Sequence, residues 1–221
     1  MEKKMYWSIN RREVRRYLGY GNKDADEMVN RLIEDSICQL EEVVYPKATY
    51  QVYPLKCGND HWLDLTAFSV QSKNLTRNLS GCEEVILFAA TLGIQADQLI
   101  GKISRKSMSQ AVVMQAVAAA MIEAYCDSWQ DKLQEIFREK GKYLRPRFSP
   151  GYGDFPLKFQ EPFLQALNCP KKIGLTMTDT LLLVPSKSVT AVIGISKTDD
   201  KCHKKGCEEC QKKDCFFRRD S

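Results

Sequence analysis

The run Glu84-Val85-Ile86-Leu87-Phe88-Ala89-Ala90-Thr91-Leu92, closed by Gly93, is the stretch on which the fold turns. It is continuously apolar, and its length suits a buried strand. Toward the C-terminus, residues 96–103 read as a short helix. From residue 107 to about 140 runs the longest helical pattern, rich in Ala and Met. Ala116, Ala118, Ala119, Ala120 and Ala124 would let another layer approach closely, and the second half becomes amphipathic and charged. Toward the N-terminus, Ser72 caps a short helix that carries Leu75 and Leu79 and closes at Gly81. Residues 48–55 and 61–68 alternate apolar with polar and read as a hairpin about Asn59-Asp60. An earlier helix starts near Asp24, which stands at capping-box spacing from Glu27. It carries Met28, Leu32, Ile33, Cys38 and Leu40, and Pro46 ends it.

Gly141 opens a change of texture. Residues 143–153 hold two Pro and two Gly, which excludes a regular helix or a central strand. A helix with Pro in its first turn is expected over 156–167, and short strands over 173–175, 180–184 and 189–195. Helices and strands do not alternate strictly. The expected class is therefore α+β, with a mostly antiparallel twisted sheet flanked by helices. Residues 1–196 form the domain, and 197–221 a Cys-rich, metal-binding tail.

The 221 residues are 43% hydrophobic and 28% charged, near globular averages, which excludes wholesale disorder, collagen and a small disulfide scaffold. No stretch reaches the ~18 apolar residues of a spanning helix. The most apolar run, 111–122, is too short and holds Gln115. No secretory signal is visible at the N-terminus, so a cytoplasmic location and no membrane partner are expected. Lys and Arg number 33 against 28 Asp and Glu, leaving +5. That mild excess suits an acidic partner surface without demanding nucleic acid. Of nine cysteines, Cys38, Cys57, Cys82, Cys126 and Cys169 are scattered, and in a reducing compartment they would serve as small buried hydrophobes. His61 lies in an expected strand and reads as structural.

The segment Arg147-Phe148-Ser149-Pro150-Gly151-Tyr152 joins a fixed cation, an aromatic ring and turn residues. Arg147 offers a planar fork suited to a carboxylate. Gly151 permits close backbone approach to a ligand, and Tyr152 offers an amphipathic wall with a hydroxyl. Together they would hold a small zwitterion with a flat ring. The plain alternative is a rigid surface turn whose Arg is solvated.

Arg-x-x-x-Gly-Tyr at 147–152, a helix, Ile173-Gly174-Leu175-Thr176-Met177-Thr178, then Leu183-Val184-Pro185-Ser186-Lys187-Ser188-Val189 follow in an order that resembles the activation domain of cobalamin-dependent methionine synthase. Val85 to Gly93 and Arg15-Arg16-Tyr17-Leu18-Gly19 also resemble the short free-standing members of that family. The resemblance covers about residues 5–196. It implies an α+β domain that binds S-adenosylmethionine. Such a domain presents the methyl group to cob(II)alamin held by the methyltransferase, while flavodoxin, ferredoxin or a similar donor supplies one electron. By motif position, Arg147 would bind the methionine carboxylate. The backbones of Ser149 and Gly151 would line the ligand, and Tyr152 would pack beside it. The family has Ala where this chain has Ser149, and its longer members continue past the Ser-Val strand where this chain has the cysteine tail. It also uses an N-terminal aspartate, for which Asp24 and Asp26 are candidates. With no cobalamin-binding module in the chain, the expected partner is a separate polypeptide. No side chain need act as general acid or base, so the protein would contribute to methyl transfer mainly by positioning.

Cys202-x4-Cys207-x2-Cys210-x4-Cys215 places four thiols within fourteen residues, flanked by Lys201, Lys204, Lys205, Lys212 and Lys213. The lysines would lower the thiol pKa values and offset cluster charge. The first three cysteines match a plant-type iron–sulfur spacing, although there the fourth ligand is remote. Structural zinc usually pairs two Cys-x2-Cys knuckles, and only one is present. Iron–sulfur, zinc and a metal-free or disulfide-linked tail all stay open. An iron–sulfur cluster would deliver an electron where cob(II)alamin needs one. His203 reads as a bystander. Two other functions compete: a zinc-knuckle module for nucleic acid or protein, and a relative that has lost its ligand. Against nucleic acid, residues 197–221 carry eight basic and six acidic side chains, a net of only +2.

Overall fold

The structure, a computed structural model, describes residues 7–21 and 23–199. It opens with helices α1 (Arg11–Tyr17) and α2 (Glu27–Val43) and strands β1 (Lys47–Pro54), β2 (Lys56–Cys57), β3 (Trp62–Asp64) and β4 (Ser69–Gln71). Helix α3 (Lys73–Asn78), strand β5 (Cys82–Thr91) and helices α4 (Ile94–Ser104) and α5 (Met108–Arg138) follow. Strand β6 (Tyr143–Leu144), a 3-10 turn (Leu157–Phe159) and helices α6 (Gln160–Ala166) and α7 (Cys169–Ile173) come next. Strands β7 (Thr176–Met177), β8 (Leu183–Val184) and β9 (Ser188–Ser196) complete the order. The described chain divides into two compact units, 7–45 with 94–128 and 46–93 with 129–199, and α5 runs through the division.

The first unit is helical. Asn10 caps α1 by accepting from the Arg12 amide, and Asp26 caps α2 by accepting from the Val29 amide. Arg11 holds the two helices together through a two-pronged contact with Glu34, at 3.0 Å from Nε and 2.8 Å from Nη2. Ile33, Ile37 and Leu40 recur at helical spacing on α2 and are buried, and α2 packs on α4.

The second unit holds the sheet, in the order β1-β5-β9-β6, with every pairing antiparallel. As its apolar sequence requires, β5 is central: no residue from Val85 to Leu92 is more than 1% exposed. Val85, Leu87 and Ala89 join Leu63, Leu75, Phe155, Phe163 and Leu175 in one core. This α+β architecture, with antiparallel sheets and flanking helices, is the class the sequence implied. By length and composition α5 is apolar enough to cross a membrane, but most of its apolar stretch is buried inside the protein.

Several local expectations need correction. Residues 48–55 do not pair with 61–68. β1 instead pairs along its whole length with β5, from Lys47↔Thr91 to Pro54↔Glu84, and so covers the edge of the most apolar strand. The turn at Asn59-Asp60 closes only the short β2–β3 pair, and Asp60 and His61 lie there with φ of 53° and 63°. His61 is thus an exposed turn residue outside the strand. Residues 173–175 are no strand: Pro170 starts α7 in its first turn, and Gly174, at φ 69°, ends it. Of 180–184, only Leu183–Val184 is extended, because Leu181 turns the chain at φ 64°. Asp24 does not cap α2. It lies 3.3 Å from Arg15, and Asp26 takes the cap, its side chain accepting from the Val29 amide. Cys38 and Cys57 are exposed, on the outer side of α2 and on short β2, while Cys82, Cys126 and Cys169 are buried.

Candidate functional site

Residues 145–155 are fixed to their surroundings before they turn. The Arg145 amide donates to Gly194 O at 2.8 Å, and Phe148 and Val192 exchange two backbone hydrogen bonds of 2.9 Å. This ladder carries the segment alongside β9. Gln134, on α5, accepts from the Leu144 amide at 3.0 Å. One turn earlier on α5, Gln130 accepts from Arg147 Nη1 at 2.9 Å and donates to Arg145 O at 3.4 Å. The Arg147 guanidinium is therefore half-buried and held by a named partner.

Beyond Phe148 the chain bends twice. The Tyr152 amide donates to Ser149 O at 3.2 Å, the Phe155 amide to Tyr152 O at 3.0 Å, and the Gly151 amide to Phe155 O at 2.8 Å. Gly151 has φ 93°, which favours glycine; a Cβ there would stand 3.2 Å from Leu157 Cδ1, an exposed side-chain end that would have to yield by a few tenths of an ångström. Inside the bend Phe148 stacks on Phe155 with centroids 6.3 Å apart, and Phe155 reaches Phe159 at 5.6 Å and Phe163 at 6.5 Å. Pro150 and Phe155 are buried, while Tyr152 is 68% exposed at the tip. Of the four residues singled out, Arg147 thus extends to α5, Ser149 and Gly151 form the bend through their backbones, and Tyr152 faces solvent.

Asp154 closes the far side of the loop. Its Oδ1 accepts from Ser72 Oγ at 2.5 Å and from the Asn74 amide at 3.1 Å, and its Oδ2 accepts from the Lys73 amide at 2.7 Å. Burial alone would raise this carboxyl. The hydrogen bonds from Ser72 and from the Asn74 and Lys73 amides outweigh it and hold the group below its ordinary value. Ser72 itself caps α3, as the sequence suggested, by accepting from the Leu75 amide at 3.0 Å. Gln130 and Asp154 were not singled out from the sequence. Ser72 and Asp154 lie 82 residues apart, and no spacing rule links them.

Asp24 and Asp26 both belong to the first unit. Asp26, with Glu27, Met28, Arg31 and Leu32, lines a shallow depression at the start of α2. Among the described residues, no group of three or more His, Cys, Asp or Glu side chains could hold a metal ion. Cys202, Cys207, Cys210 and Cys215, the expected metal ligands, lie outside the described residues.

No family model and no curated protein matches the chain. Among solved structures, it is similar to one described as the crystal structure of the MetH reactivation domain bound to AdoHcy. The TM-score is 0.61 over 85% of this chain and 76% of that one, at 19% sequence identity. The class this likeness establishes is one of fold: the chain has the architecture of a methionine synthase reactivation domain.

Proposed function

We propose that the protein binds S-adenosylmethionine and serves the reductive reactivation of a cobalamin-dependent methionine synthase or a related corrinoid methyltransferase. The observation that carries this reading is the shared fold with a reactivation domain bound to AdoHcy, the product left when S-adenosylmethionine gives up its methyl group. The half-buried guanidinium of Arg147, beside a bend whose φ at Gly151 favours glycine, supports it locally. In this reading Arg147 binds the methionine carboxylate, the Ser149 and Gly151 backbones line the ligand, and Tyr152 packs beside it. One electron from a flavodoxin- or ferredoxin-like donor and the sulfonium methyl then convert cob(II)alamin on the methyltransferase to methylcobalamin, releasing S-adenosylhomocysteine. The protein's part is to place the methyl carbon near cobalt. The four tail cysteines would hold an iron–sulfur cluster or zinc, and in the first case would pass on the electron.

Calorimetric titration with S-adenosylmethionine tests the reading. Wild type binds, and Arg147→Ala loses roughly 2–5 kcal/mol through the missing guanidinium–carboxylate contact. That is about 30-fold or more in affinity. Absence of wild-type binding at millimolar ligand would rule the reading out.

A further inference from the structure

We propose that Asp154 is the positioning residue of the ligand loop: by clamping the loop to α3, it sets the backbone of Ser149–Tyr152 in its binding conformation. The inference rests on the S-adenosylmethionine reading above and names a residue that no motif assigned.

The loop has two anchors. At its start the Phe148–Val192 ladder and Gln130 fix the segment around Arg147. Between this start and Asp154 the chain passes through Gly151 and Gly153, at φ 93° and 54°. Glycine is the residue that loses most conformational freedom on ordering, so a bend with two of them costs more to order, and holding both ends adds to what its internal hydrogen bonds supply. Asp154 is the far anchor. It is the acceptor of all three contacts, so a neutral apolar side chain cannot replace it. The approach is also close: a Cβ on Gly153 would lie 2.3 Å from Asn74 Nδ2. The loop backbone thus sits directly on the first turn of α3. Phe155 follows at once and is 1% exposed, so the anchor and the buried ring act at adjacent positions. A loop ordered in advance binds its ligand without the ordering cost at the moment of binding.

The experiment combines S-adenosylmethionine titration with amide hydrogen exchange in the ligand-free protein, on wild type, Asp154→Ala, Asp154→Asn, Ser72→Ala and the Asp154→Ala/Ser72→Ala double variant. All are measured well below their melting temperatures. The Asp154→Ala protein is expected to bind roughly tenfold or more weakly. Asp154→Asn, which keeps one acceptor oxygen, falls between it and wild type. The double variant is expected to lose little more affinity than Asp154→Ala alone, because the Ser72–Asp154 contact is already absent from the single variant. Without ligand, the Gly151 amide exchanges faster in Asp154→Ala than in wild type, as a loosened bend requires. Folded Asp154→Ala with wild-type affinity and wild-type Gly151 exchange would overturn the inference. If Asp154→Ala does not fold, Asp154→Asn with unchanged affinity and exchange overturns it equally. Should wild type fail to bind S-adenosylmethionine, the functional reading falls, and Gly151 exchange still decides whether Asp154 orders the loop.

Discussion

At the scale of the residue, Cys169 and Cys38 carry the same thiol in opposite surroundings. Cys169 is fully buried at the start of α7. Burial pushes its thiol up to about 11, and the nearby Lys172 cation only partly offsets this. At pH 8 about one such thiol in a thousand is ionised, and the thiolate is the reactive form. Cys38 and Cys57 are exposed, whereas Cys82 and Cys126 are buried. Iodoacetamide applied to the native protein at pH 8 is therefore expected to alkylate Cys38 and Cys57. Cys82, Cys126 and Cys169 should be labelled only after unfolding. Peptide mass spectrometry before and after denaturant reads the difference. Early labelling of Cys169 would mean that α7 opens in the native state.

At the scale of the element, β9 shows how tightly the sheet is filled. A Cβ on Gly194 would lie 2.6 Å from Cys82 Sγ, 2.9 Å from Leu79 Cδ2 and 3.0 Å from Arg145 Cγ. Gly194→Ala should therefore destabilise the protein by about 1–3 kcal/mol in urea unfolding, the usual cost of overpacking. Cys82→Ala in the same chain should restore part of that loss by removing the nearest atom. Gly194→Ala at wild-type stability would contradict this packing. The same sheet marks what the sequence could disclose. β5, β9 and α5 were legible because each carries a long apolar or periodic pattern that only one kind of element satisfies. Ser72 was legible as a cap because capping is local. The partner of β1 was not, since alternation marks a strand but not its neighbour, and the adjacent turn favoured the nearer run. The two apolar letters of 173–175, Ile173 and Leu175, were too few to separate a strand from the end of a helix, and Pro170 with Gly174 decided for the helix.

At the scale of the whole molecule, the candidate site is legible only where it is contiguous. Arg147, Ser149, Gly151 and Tyr152 stand within six residues and could be read together. Gln130 and Asp154 act on that segment through hydrogen bonds to other elements, and nothing in their sequence neighbourhood announces it. The cysteine tail is the converse: four closely spaced thiols are plain in the letters, and their spacing leaves iron–sulfur, zinc and no metal all open. The proposed division of labour between the domain and the tail leads to a definite expectation. The buried cluster described for the second unit runs from Leu55 to Val192, and the last described strand closes at Ser196. A chain ending at Asp199 should then melt within about 2 °C of wild type, the shift produced by a few tenths of a kcal/mol. It should bind S-adenosylmethionine with unchanged affinity. Prepared anaerobically, the full chain should carry iron with sulfide, or zinc, and the shortened chain neither. Loss of S-adenosylmethionine binding on shortening would make the tail part of the ligand site and end the two-part reading. A full chain free of metal after anaerobic preparation would remove the electron-carrying role, while leaving Arg147 and its loop to be judged by their own titration.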